Sequence, residues 1–162
     1  MEKSSFGAIL RTDCRILILG SLPGDASLNA GHYYAHPRNA FWLIMSQLLQ
    51  IGLNTLPFAQ RYDILQDHRI GLWDVVAQAK RQGSLDAAIQ QATLNPIMQR
   101  CASLSDLQLI AFNGQTAAKL GKRQVPEYIQ QAVLPSSSPA HTLAIDSKTG
   151  YWLQVLRPYL TN

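Results

Sequence analysis

The chain is poor in charge, poor in cysteine and free of long apolar runs. Charged residues make up 15% of its 162 positions and hydrophobic residues 47%. That balance excludes a disordered chain and supports a packed core of one domain, expected over residues 1–162. No apolar stretch reaches the roughly 20 residues that span a bilayer. The opening MEKSSFGAILRTDC lacks a secretory apolar segment. The expectation is a cytoplasmic protein with no membrane partner. Cys14 and Cys101 stand alone, without a CxxC pair. This argues against a metal cluster and, in a reducing compartment, against a disulfide, so both read as buried filler. Phosphate-loop, dinucleotide-loop and G-x-S-x-G signatures are missing too. No spacing implies a metal or an organic cofactor.

What is present is an excess of base: net charge +4 and pI about 9.3. Lys80 with Arg81, and Lys122 with Arg123, form basic pairs that suit a nucleic-acid backbone without requiring one. The run Arg15–Leu19, ending at Gly20, predicts a fully buried strand. Further strands are predicted at Gly71–Val76, Leu107–Phe112 and Ala132–Pro135. Helices are predicted from Asn39, with Phe41, Ile44, Met45, Leu48 and Leu49 on one face, and over Pro57–His68. More are predicted from Ser84 through Gln91, after an Asn95 cap, over Thr116–Leu120 and over Thr149–Leu160. Four aliphatic strands separated by helices imply a parallel sheet covered on both faces.

In such sheets ligands bind beyond the carboxyl ends of the strands. Those ends are Gly20 onward, Asp74, Asn113 and Ser136 onward. The first opens GSLPGDASLNAGHYYAHPRNAFW. It is far longer than the roughly 2–6 residues a strand–helix connection needs. Ser136, Ser137 and Ser138 can hold phosphates or simply make a turn and a cap.

GSLPG, YYAHPRNAFW, WDVVAQAKRQGSLDAAI, FNG and LPSSSPAH together resemble the uracil-DNA glycosylase superfamily, in its deoxyinosine (hypoxanthine-DNA) branch. The resemblance covers nearly the whole chain. It implies a three-layer α/β/α sandwich with a central, mostly parallel four-stranded sheet. It also implies a monomer that extrudes a deaminated base from DNA and hydrolyses its N-glycosidic bond without a metal. Two positions that are polar in many relatives are Leu22 and Leu134 here. The resemblance moves the chemistry to Asn39, which orients a water or, in the simpler reading, only caps its helix. Tyr34, Asp74, Asn113 and Leu22 are expected to meet the base. His36, Arg38, Ser136, Ser137, Ser138 and His141 are expected to meet DNA.

Tyr34 offers a ring for the base, while Tyr33, Phe41 and Trp42 read as core. Asp74 as a carboxylate only accepts hydrogen bonds. It would take N1–H of hypoxanthine or N3–H of uracil and repel adenine, whose N1 is an acceptor; pairing with a nearby Arg or Lys is the plainer alternative. Rival readings are an enzyme acting mainly on uracil, a catalytically silent DNA-binding relative, and an ester hydrolase using Ser136 or Ser138.

Overall fold

The computed structural model describes residues 2–160. Four strands form a wholly parallel sheet: β2 (Ile16–Gly20), β3 (Ile70–Asp74), β6 (Leu109–Asn113) and β7 (Gln130–Leu134), in the order β3-β2-β6-β7. Helices α2 (Phe41–Leu49), α3 (Phe58–Asp67) and α6 (Ile145–Leu156) cover one face. Helices α4 (Ile97–Cys101) and α5 (Gln115–Gly121) cover the other.

The central strand shows why. Every residue of β2 is buried. Its side chains alternate, with Ile16 and Ile18 in the core under α2, α3 and α6 and Leu17 and Leu19 in the core under α4 and α5. A strand apolar on both faces must be covered twice, and each fully buried Leu or Ile contributes about 1.5–3 kcal/mol. The result is the three-layer α/β/α sandwich. Phe41, Trp42, Tyr33, Cys14 and Cys101 are core residues, as the sequence predicts. Burial pushes the Cys14 thiol up to about 12, which leaves it inert.

Four expectations need correction. The strand predicted through Val76 stops at Asp74, turns at Val75 and resumes as β4 (Val76–Lys80). This strand lies in a second, antiparallel sheet between β1 (Glu2–Ser4) and β5 (Gln90–Leu94). The helix expected from Ser84 through Gln91 is reduced to a 3₁₀ turn at Asp86–Ala88, and β5 follows it. Backbone pairing with β4 outweighs the local preference of Leu85, Ala87 and Ala88 for helix. Ser84 caps a different element, its Oγ accepting from Asp25 N at 2.9 Å, at the start of α1 (Asp25–Ala30). Asn95 does not cap α4 with its side chain; its amide donates to Asp74 O at 2.8 Å. The last helix begins earlier than predicted, at Ile145.

Candidate active site

The parallel strands end together, and the order places the switch in winding direction between β2 and β6. Beyond those ends lies a cavity of about 500 Å³. Its lining includes Leu22, Tyr34, His36, Asn39, Asp74, Asn113, Ser136, Ser137, Ser138 and His141. Of the residues singled out in the sequence, Arg38 does not line it; it lies exposed on the adjoining loop.

Asp74 forms the floor. It is buried, and its Oδ2 has no hydrogen-bond partner among the described residues. Burial, reinforced by the charge of Asp86 and opposed by Arg81, pushes its pKa up to about 8. At neutral pH most molecules therefore carry a neutral acid here, with one oxygen that accepts and one hydroxyl that donates. This changes the sequence-based picture of a group that only accepts. The Tyr34 hydroxyl is likewise buried without a partner of ordinary geometry. Burial and the neighbouring Asp74 raise its pKa. Both groups close over Gly20. A Cβ there would lie 2.7 Å from Asp74 Oδ1 and 3.0 Å from the Tyr34 hydroxyl, so only glycine fits.

Tyr34 adopts φ 54°, a left-handed conformation uncommon for a side chain of its size. Its neighbours hold it there. Tyr33 N donates to the Tyr62 hydroxyl at 2.9 Å, Trp42 Nε1 donates to Tyr33 O at 3.2 Å, and Ala35 N donates to Ser27 Oγ at 3.0 Å. One face of the Tyr34 ring stacks on Phe41, with centroids 4.1 Å apart and planes at 22°.

Asn39 does take part in starting α2. Its Oδ1 accepts from Phe41 N at 3.0 Å, although Ala40 is the capping position. That bond fixes the amide plane and leaves one lone pair and the Nδ2 hydrogens uncommitted. His36 Nδ1 accepts from Arg38 N at 3.0 Å, so a neutral ring carries its hydrogen on Nε2.

The serine loop is fully tied. Asn113 grips Ser137 twice: Nδ2 donates to Ser137 Oγ and Oδ1 accepts from Ser137 N, both at 2.9 Å. Ser136 Oγ accepts from Ser138 N, and Ser138 Oγ accepts from Ala140 N, each at 3.2 Å. Those hydroxyls keep their own hydrogens for an incoming anion. Ala40 N donates to Ser137 O at 2.9 Å, which joins this loop to the one carrying Asn39. The buried Lys148 Nζ donates to Ser138 O and His141 O, at 3.0 and 2.8 Å, and Trp152 Nε1 donates to Pro135 O at 2.8 Å. Gly114, at φ 100°, gives the close approach the loop requires; a Cβ there would sit 3.1 Å from Ser136 Cβ.

Sequence reasoning missed Arg81, which it grouped with Lys80 as surface charge. Arg81 is buried and donates to the carbonyls of Leu22, Pro23 and Gly83, fixing the GSLPG turn. It also missed Asp86, which accepts from Ser21 Oγ at 2.6 Å, and Leu85, exposed on the cavity rim. No local pattern marks these contacts, since Arg81 and Leu22 are 59 positions apart. Leu22 and Leu134 both pack inward as apolar wall rather than offering a polar group.

Sheet order, cavity position and strand-end residues together define an α/β domain with its site at the switch point, where open parallel sheets bind ligands. The model of the uracil DNA glycosylase superfamily matches residues 7–157, and the chain belongs to that superfamily. Among its relatives is a hypoxanthine DNA glycosylase of Methanosarcina acetivorans, 34% identical, with 97% of this chain and 99% of the relative covered. Another hypoxanthine DNA glycosylase, from Methanosarcina barkeri strain Fusaro, is 31% identical over the same shares. A solution NMR structure from Methanosarcina acetivorans, provisionally assigned as a uracil DNA glycosylase, superposes with a TM-score of 0.89 at 33% identity. It covers 99% of this chain and 100% of that one. No helix among the described residues is long and apolar enough to cross a membrane.

Proposed function

We propose that this protein is a monofunctional DNA glycosylase that excises hypoxanthine from deoxyinosine in DNA, acting as a monomer in the cytoplasm. The observation that carries the reading is the buried Asp74 Oδ2 at the cavity floor, which has no hydrogen-bond partner among the described residues and lies in the same cavity as Tyr34. Buried polar atoms in native proteins are nearly always paired, so an orphan that lines a cavity is where a ligand can supply the partner. The 6-keto edge of hypoxanthine, O6 beside N1–H, matches a neutral carboxylic acid, which donates to O6 and accepts from N1–H. The two relatives named as hypoxanthine DNA glycosylases support the same substrate.

The base rests against the Tyr34 ring, recovering part of the cost of leaving the duplex stack. Asn39 holds a water near C1′. As the N9–C1′ bond breaks, its electron pair leaves with the base and positive charge grows on the sugar. The water oxygen bonds to C1′. The negative charge on the departing base is stabilised by a hydrogen bond from His36 Nε2–H within the cavity, and the proton released by the water passes through solvent to the base. Ser136, Ser138 and His141 meet phosphates at the rim, and Arg38 adds a charged contact outside it. Asn113 acts by holding Ser137 in place.

The same acid also matches the keto–imino edge of uracil, which makes uracil the second substrate of this reading. The test is direct. Duplexes carrying one deoxyinosine, deoxyuridine or deoxyxanthosine are incubated with the protein, and abasic sites are then cleaved with alkali. Scission at deoxyinosine, lost in Asn39→Ala, is the expected result. Retarded migration without scission means a silent DNA-binding relative instead.

A further inference from the structure

The serine loop has a cavity on each side. The second, of about 310 Å³, shares Gln115, Ser136 and His141 with the first. Its other walls are largely apolar and open to solvent: Tyr151 on α6 is 56% exposed, Val133 on the edge strand β7 is 48% exposed, and Leu143 is 38% exposed. Nothing in the reaction outlined above uses these three side chains. An aromatic and two aliphatic side chains gathered in one hollow form an apolar patch that asks for an occupant.

We infer that this groove is a subsite for the nucleobase next to the extruded nucleotide, stacked on Tyr151 and seated against Leu143 and Val133. The inference rests on the glycosylase reading. Continuity is the argument for this occupant. The two cavities share Gln115, Ser136 and His141, so a strand that runs from the main cavity over the serine loop brings its next base to the adjoining hollow. Stacking on an aromatic ring is indifferent to base identity, because every base has a π face. The subsite therefore serves any neighbouring base and confers no sequence preference.

The test couples the ring to the neighbour. Single strands carry one deoxyinosine, and the flanking base on each side in turn is replaced by an abasic analogue. Excision is followed below saturation, and Kd for the same strands is measured by fluorescence anisotropy. Removing the flanking base on one side should weaken the wild type about tenfold, an effect typical of losing one stacked base. Tyr151→Ala should show the same loss on the intact strand and no further loss when that base is missing. Tyr151→Phe should behave as the wild type. Losses that simply multiply, or a Tyr151→Ala protein equal to wild type, overturn the subsite and leave the groove to a protein partner. Coupling seen in Kd without any excision leaves the subsite standing and sinks the glycosylase reading alone.

Discussion

The floor and the rim of the cavity are built in opposite ways. On the rim, Pro135 to His141 are held by Asn113, Lys148, Trp152 and the Ala40 amide. On the floor, Asp74 Oδ2 has no hydrogen-bond partner among the described residues, and the buried Tyr34 hydroxyl has only a loose contact with the Asn113 side chain. A buried orphan costs about 1–3 kcal/mol, a cost that a ligand pairing with it in the cavity would offset. The rim, with its polar groups tied, serves as a fixed frame that positions a strand. In the proposed function, the difference separates the part that would hold DNA from the part that would read the base.

The largest expected effect probes the floor. Asp74 has a folded-state pKa of about 8 against 3.8 for a free carboxyl. Its neutral form is the favoured one in the fold, so its contribution to stability is intact below pH 4. That contribution is lost as pH rises through 8, on the order of 5 kcal/mol in all. Asp74→Asn mimics the neutral acid and should remove this dependence. Urea midpoints from pH 5 to 9 should therefore diverge, with the variant the more stable at pH 9; parallel curves would refute the buried acid. The same titration bears on selectivity. The neutral acid can pair with adenine, donating to N1 and accepting from N6–H, whereas the carboxylate cannot donate. Preference for deoxyinosine over deoxyadenosine should rise through pH 8 in the wild type and stay flat in Asp74→Asn.

Next in size is Asn39→Ala, expected to slow excision by about a hundredfold or more, in the range of losing one preorganised polar group at a reacting centre. Its lost bond to Phe41 N should cost only about 1 kcal/mol of stability. A stability loss without a rate loss would reduce Asn39 to a helix-starting residue. Asn113→Ala tests the frame. It abandons two bonds to Ser137 and should destabilise the fold by about 2 kcal/mol. It should also weaken binding to duplex DNA, read as a lower urea midpoint and a higher Kd. Smallest is Ser138→Ala. With one phosphate donor gone, binding should weaken about threefold with unchanged urea midpoint, in keeping with a single exposed hydrogen bond.

Much of this contrast was legible before folding. The aliphatic run of residues 16–19 in β2 announced a strand buried on both faces, and the clustering of Tyr34, Asn39, Asp74 and Asn113 at strand ends announced the cavity. What stayed hidden depended on distant partners. Ser84 and its alanines carried a sound local helix signal, yet β5 formed because β4 offered backbone pairing. Arg81 looked like surface charge beside Lys80, yet three carbonyls of loops at and before Gly83 draw it inside.

The sequence by itself determined the layers, the parallel sheet and the edge where chemistry collects, because hydrophobic period and turn residues act locally. Only the tertiary structure decided that Asp74 is a neutral acid. Its proton is held by burial and by the charge of Asp86, against the pull of Arg81, and electrostatic energy depends on burial and distance in space rather than position in the chain.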